Sequence, residues 1–256
     1  MEIADDTLAA VRIESVHGIR AAAEALRDAV SEIAGLRVAV TDNIASATPM
    51  RDADGAILAS EVFGAEADQC WWTMPHLALT SPLPMACRFE SEPFWCNAAG
   101  FHTRTVNALL GAIDLSRFRE RALTSAAIVS PVHLPFGQIG AASFLSPDRD
   151  VDDLSDAFET HGEALALLAR IFVASFVKAT ERRSAEVGAI MLSKREVECL
   201  RWAAAGKTND EIAMILGLKR TTIRFHIRTA AEKLNAVNRD QALFKASQLG
   251  FLGTLR

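Results

Sequence analysis

Between Lys219 and Arg228, four cations and two threonines fall within ten residues. Lysine and arginine neutralise phosphate oxygens, the planar fork of arginine also matches the acceptor edge of guanine, and threonine hydroxyls donate to phosphate. Lys219 and Arg220 stand at the start of a predicted helix, where the cap is ordinarily Ser, Thr, Asp or Asn and the macrodipole is already positive. Two cations there are unfavourable by themselves and make sense when an anion docks at that helix end. Thr221, Thr222, Arg224 and Arg228 continue along the helix, and Lys207 and Thr208 open the helix before it. An isolated basic helix is more often just a solvated face; the elements around this one decide for nucleic acid.

Those elements are readable from their punctuation. Ser193 with Glu196, Thr208 with Glu211 and Asn238 with Gln241 each place a small polar residue three positions before Glu or Gln, which marks a helix start. Gly206 and Gly217 stand where a left-handed residue lets the chain turn. The pattern predicts a helix after Ser193, a short helix over 209–216, a longer one over about 220–235 and a last one over 239–249. In the third, Ile223, Ile227, Ala230, Ala231 and Leu234 share one face while Arg220, Thr221, Arg224 and Arg228 share another. This is a helix-turn-helix with a basic recognition helix.

Charge divides along the chain in the same sense. Residues 191–256 hold 12 Lys and Arg against 6 Asp and Glu, whereas residues 1–190 hold 15 against 26. The four cysteines, Cys70, Cys87, Cys96 and Cys199, form no C-x-x-C pair and no ligand set with the six histidines, so no metal or cofactor is expected; His76 and His133 read as satisfied polar residues. No phosphate loop, G-x-S-x-G elbow, H-E-x-x-H or organised carboxylate pair appears, so no catalytic residue is nominated and the chain does not read as an enzyme. Asp42 is an isolated acid and Lys178 the single lysine of residues 1–190, which argues against a phospho-receiver; Cys87-Arg88-Phe89 copies three letters of a flavin-photosensor motif between the wrong neighbours. Acidic residues at the start and no apolar run of membrane length imply a cytoplasmic protein.

Residues 19–34 have a helical period, 36–42 and 56–63 read as strands, and 126–135 with 138–146 form a hairpin around Phe136 and Gly137. A long amphipathic helix is predicted over about 154–182. The resulting fold class is an α/β domain, an antiparallel sheet between helical layers, followed by an all-α four-helix domain. Boundaries are expected at 1–176 for the first domain, 177–190 for a linker and 191–256 for the second.

The C-terminal stretch resembles the LuxR-type quorum-sensing regulators: Glu196, Leu200 and Gly206 stand at three family signature positions, followed by K-T-x-x-E-I-A at Lys207–Ala213 and T-[VI]-x-F-H at Thr222–His226. The resemblance implies a homodimer on double-stranded promoter DNA. The N-terminal likeness is partial and spans about residues 10–175. SPLPMACRFESEPFW, residues 81–95, resembles the family segment that carries ligand contacts, with one residue fewer, and 128–146 resembles its paired strands. On that alignment Pro82 and Trp95 keep the family residues. Trp72 takes the place of the pocket tyrosine and Ser81 that of the aspartate, while Asp68 and Ala127 stand near a second tryptophan and a glycine.

The resemblance thus implies a ligand pocket containing Trp72, Ser81 and Trp95, with Ser143 as a further polar contact. In the family the aspartate accepts the amide N–H of an acyl-homoserine lactone, and the tryptophan and tyrosine donate to its carbonyls. A neutral hydroxyl at Ser81 is a weaker acceptor, by about 1.5–3 kcal/mol, and a carboxylate placed there would have no cationic partner recognisable in the sequence. The expectation is therefore a regulator controlled by a small apolar or amphipathic signal, in a pocket diverged from lactone receptors. Two alternatives stay open: a true acyl-homoserine lactone receptor, and a ligand-independent regulator whose first domain only dimerises. Packing of Trp71, Trp72, Phe94, Trp95 and Phe101 as plain core is the competing reading of the aromatic cluster.

Overall fold

The computed structural model describes residues 3–65, 74, 77–180 and 191–253. The chain forms two compact units, the first built from Met1–Leu134 with Gln138–Glu181 and the second from Arg182–Arg256 with Pro135–Gly137. Among the described residues no helix is long and apolar enough to cross a membrane.

The first unit begins with α1 (Asp5–Val11) and α2 (Ile19–Ala34), which ends where Gly35 adopts a left-handed φ of 64°. Edge strand β1 (Arg37–Thr41) follows, then the short helices α3 (Leu58–Glu61), α4 (Leu77–Thr80) and α5 (Pro82–Cys87), and strands β2 (Phe94–Asn97) and β3 (Gly100–His102). Helix α6 (Phe118–Ala122), strands β4 (Ala126–His133) and β5 (Ile139–Leu145) and the long α7 (Ser155–Thr180) complete it. The sheet is antiparallel with order β1-β5-β4-β2-β3.

Strand alternation sorts the core into two layers. Trp95, Ala126, Ile128, Val132, Ala142 and Phe144 face the layer of α1, α2 and α7, whose Leu26, Leu165, Leu168 and Phe172 are fully buried. Phe94, Cys96, Ala127, Val129 and Ala141 face the other layer, with Ala86 and Cys87 of α5 and Phe118 of α6. Helices thus cover both faces of the sheet, as expected. α7 approaches β5 so closely at Gly140 that a Cβ there would stand 2.6 Å from a Val173 methyl and 3.0 Å from the Thr41 carbonyl oxygen. In the hairpin between β4 and β5, Phe136 and Gly137 both take positive φ, 65° and 72°, and Leu134 N–H closes on Gln138 O at 2.9 Å.

Two readings need correction. The strand expected over 56–63 is helix α3, preceded by one isolated bridge between Arg51 and Ile57. The buried Asp52 carboxylate accepts from the N–H groups of Asp54 and Ala56 at 3.1 and 2.8 Å and from Arg20 Nε at 2.8 Å, closing a loop rather than a ladder. Leu58 and Val62 then reach the core at helical spacing. Val177–Thr180, expected in a linker, continue α7, and the rest of the expected linker, 181–190, lies outside the described residues.

The second unit is α8 (Lys194–Ala204), α9 (Asn209–Leu216), α10 (Arg220–Lys233) and α11 (Arg239–Gln248). Its core has two patches, one of Cys199, Ala203, Ile212 and Ile223, the other of Leu200, Ala230, Leu234 and Ala246. Capping boxes at Ser193 and Thr208 close reciprocally. At Asn238 the device differs: its side chain accepts from Gln241 N–H, but Gln241 Oε1 accepts from Val237 N–H at 2.7 Å.

Candidate nucleic-acid interface and small-molecule cavity

α9 and α10 meet through Gly217, whose φ of 65° makes the turn. Ile223, Ile227 and Ala230 bury one side of α10, which leaves Thr221, Arg224, Phe225 and Arg228 outward. Lys219 caps α10 without a side-chain hydrogen bond, so the first N–H groups of the helix lack a side-chain acceptor there. Among the described residues Lys219 and Arg224 form no ion pair. Arg220 lies 3.4 Å from Asp210, and Arg228 lies 3.5 Å from Glu232, both as exposed pairs that are weak in water. Lys207 Nζ stands 3.6 Å from Glu211. The Thr208 hydroxyl is committed to its cap, accepting from Glu211 N–H and lying 2.9 Å from Glu211 Oε2. Thr222 is half-buried and Thr221 exposed. The expected residues therefore form one cationic surface made of the start of α9 and the outer side of α10.

Three residues of that surface or its support were not singled out from the sequence for these roles. Phe225 is 53% exposed at the middle of the cationic face. Lys233 Nζ donates to both oxygens of the buried Glu196 carboxylate at 3.0 and 2.9 Å, fixing the far end of α10 to the start of α8. Burial pushes the Glu196 carboxyl up, but the bonds from Lys233 and Ser193 N–H outweigh it and hold the group below the usual glutamate value. Arg239 Nη2 donates to the Lys207 carbonyl at 2.7 Å and so fixes the turn before α9. Gly206 and Glu196 were legible by their punctuation; Lys233 and Arg239 carry no local signal, because their partners are 37 and 32 residues away.

In the first unit, a cavity of about 180 Å³ lies on the α5 and α6 side of the sheet. Its floor comes from Ala39, Thr41, Val129, Ala141 and Ser143, and its walls from Ile44, Phe63, Leu77, Ser81, Leu83 and Cys87. The size suits a small organic molecule, since about 150 Å³ of apolar cavity holds a benzene. Ser81 is buried at the cap of α5, and Ser143 sits on β5 opposite Ala39 and Val129. Burial pushes the Cys87 thiol up to about 12, so at neutral pH it is an apolar wall rather than a nucleophile. Arg121 also lines the cavity; it donates from Nε to the Thr80 carbonyl at 2.8 Å and from Nη1 to Asp114 Oδ2 at 2.8 Å. This is the cation beside position 81 that the sequence did not disclose.

The structure brings Ser81 and Ser143 to one cavity and does not bring Trp95 to it. Odd positions of β2 face the α2 and α7 layer, so Trp95 is buried there and stacks on His102, ring centroids 4.0 Å apart and planes at 10°. Trp72 lies outside the described residues.

The protein-family model described as bacterial regulatory proteins, luxR family, matches residues 191–246. The transcriptional activator protein AhyR of Aeromonas hydrophila is 29% identical over 183 residues, 71% of this chain and 68% of that protein. The quorum sensing-dependent transcriptional regulator VjbR of Brucella ovis is 48% identical over 64 residues, 25% of each chain. Among solved structures, Escherichia coli SdiA is similar with a TM-score of 0.42 and 23% identity, covering 74% of this chain and 75% of that one. The four-helix unit with its basic α10 is thus a DNA-binding regulatory domain of the luxR family, and the chain as a whole is similar to transcriptional activators and quorum sensing-dependent regulators that carry such a domain.

Proposed function

We propose that the chain is a one-component regulator that binds promoter DNA as a homodimer and is controlled by a small, apolar or amphipathic molecule in the cavity of its first unit. The observation that carries this reading is the presence of Ser81 and Ser143 on one otherwise mostly apolar cavity wall, on a chain whose other unit presents Lys219 and Arg224 with no ion-pair partner among the described residues. In this reading the first unit through α7 is the sensor, and residues from 191 onward bind DNA. Lys207, Lys219 and Arg220 neutralise phosphates, Thr208, Thr221 and Thr222 line the same contact, and Arg224 and Arg228 reach base edges in the major groove.

The polar pair sets the ligand chemistry. Two hydroxyls serve a ligand carbonyl or hydroxyl equally well, whereas a lactone amide N–H meets no carboxylate at position 81. Trp95 facing the opposite layer removes a second lactone contact. The proposed signal is therefore a compact molecule with one polar end. Native mass spectrometry of the purified protein, followed by melting curves against a panel of acyl-homoserine lactones, aromatic alcohols and short fatty-acyl compounds, tests this. A true ligand at a hundred times its Kd stabilises by about 2.7 kcal/mol. A lactone as the single stabilising class would establish the lactone-receptor reading instead, and no stabilisation by any class, with nothing co-purifying, would leave the first unit a dimerisation module.

A further inference from the structure

Edge strand β1 puts a cation on the wall of the cavity. Residues alternate faces along the strand, so Val38 enters the α7 layer while Arg37, Ala39 and Thr41 face the α5 and α6 side. Arg37 is half-buried, and its Nη2 donates to the Gly64 carbonyl at 3.2 Å, between the cavity-lining Phe63 and Ala65. That bond holds the guanidinium at the edge of the cavity. Among the described residues its Nε and Nη1 have no hydrogen-bond partner, and its charge has no ion-pair partner.

The register of the sheet sets what stands beside it. Arg37 pairs with Leu145 and Ala39 with Ser143, so Arg37 and Ser143 are diagonal neighbours on the cavity face. Their Cβ atoms are then about 7 Å apart, a distance that a long side chain spans. The Ser143 hydroxyl has no hydrogen-bond partner among the described residues. A guanidinium fork and a hydroxyl so placed both donate into the space between them, which is the arrangement a carboxylate accepts.

The charge of the wall agrees. Among the described residues lining the cavity, the charged side chains are Arg37 and Arg121, and none is an acid. Arg121 is balanced by Asp114 at 2.8 Å; Arg37 is not balanced. This is a local excess, because residues 1–190 hold 15 Lys and Arg against 26 Asp and Glu. Protection of an edge strand would explain a charge on β1, but neither its sign nor the lack of a counter-charge.

We infer that the cavity takes a small monocarboxylic acid with an aryl or short acyl body, its anion held by Arg37 and Ser143 and its body along Leu77, Leu83 and Val129. This rests on the reading of the cavity as a signal site and names the polar end of the signal.

Isothermal titration calorimetry of the full chain with butyrate, hexanoate, octanoate, benzoate and phenylacetate, each beside its primary amide, tests the assignment. At least one acid should bind about ten- to a hundredfold tighter than its amide, the value of a charge-assisted pair. That preference should shrink as salt rises. R37M should bring the acid down to the affinity of its amide while leaving amide binding unchanged, which also shows that the cavity is intact. S143A should weaken the acid about fivefold. Amides that bind as tightly as their acids, or acid binding indifferent to R37M, overturn the carboxylate assignment and leave the cavity a site for neutral molecules. Binding by none of these acids and amides overturns the assignment, and where nothing co-purifies with the protein the signal-site reading falls with it.

Discussion

Single side chains on α10 are not equivalent although the sequence treats them alike. Among the described residues Arg224 has no ion-pair partner, whereas in the proposed DNA contact Arg228 would have to leave Glu232. Arg224→Ala should therefore cost about 1–3 kcal/mol of operator binding and relax specificity at one base pair per half-site. Glu232→Gln should tighten binding about twofold by releasing Arg228 and removing a carboxylate from the surface proposed to face phosphates. Quantitative binding to a selected operator reads both, and unchanged affinity for Arg224→Ala and Arg228→Ala alike would sink the assignment of α10 as the reading helix. At the cavity, Ser81→Asp buries a carboxylate beside an Arg121 whose guanidinium already serves Asp114 and the Thr80 carbonyl. It should destabilise the ligand-free protein by about 1–3 kcal/mol, while Ser81→Ala should be nearly neutral. A rise in melting temperature for Ser81→Asp would mean that Arg121 accepts the new charge at no cost.

At the scale of elements, the second unit depends on one long-range clamp. The Glu196 carboxylate caps α8, accepting from Ser193 N–H at 2.7 Å, and holds Lys233 at the end of α10. Its folded pKa is depressed, so its contribution to stability is fully present above the ordinary value of 4.5 and is lost as pH falls through the lower folded value. The unfolding midpoint of the second unit, followed by Trp202 fluorescence, should fall with acid below about pH 4.5, and Glu196→Gln should flatten that dependence. Lys233→Met leaves the carboxylate buried and unpaired and should cost about 1–3 kcal/mol. An acid profile unaltered by Glu196→Gln would show that another group governs it. The helix starts around this clamp were legible in sequence because capping is local: Ser193, Thr208, Gly206 and Gly217 act within four residues of themselves. The segment 56–63 was misread for the same reason inverted. Its apolar residues suit a strand locally, and a loop closed by Arg20, 32 residues away, makes it a helix.

For the whole molecule, the proposed binding of DNA through cations on both copies of a dimer would make affinity a salt-dependent quantity. Each phosphate neutralised contributes about 0.9 to the slope of log K against log salt. Lys219→Ala should lower that slope by about two in a dimer, one for each copy, with little change in sequence preference. A slope lowered by one would indicate that a single subunit touches DNA, and a slope unchanged would place Lys219 off the phosphates.

Fold class, the two-part organisation of charge and the basic outer side of α10 were determined by the sequence itself. They rest on periodicity, caps and turns, which are properties of neighbouring residues. Where a side chain ends up across the sheet was not determined there. Trp95 and Ser81 stand 14 positions apart in a segment similar to a ligand-binding one, yet the pleat sends Trp95 to the α7 layer while α5 holds Ser81 at the cavity. Strand residues alternate faces with a period of two, so a strand's register against its neighbours decides which residues share a wall. That register comes from pairings such as Trp95 with Ile128 and Ser143 with Val129, between residues 33 and 14 positions apart, and only the folded chain brings them together.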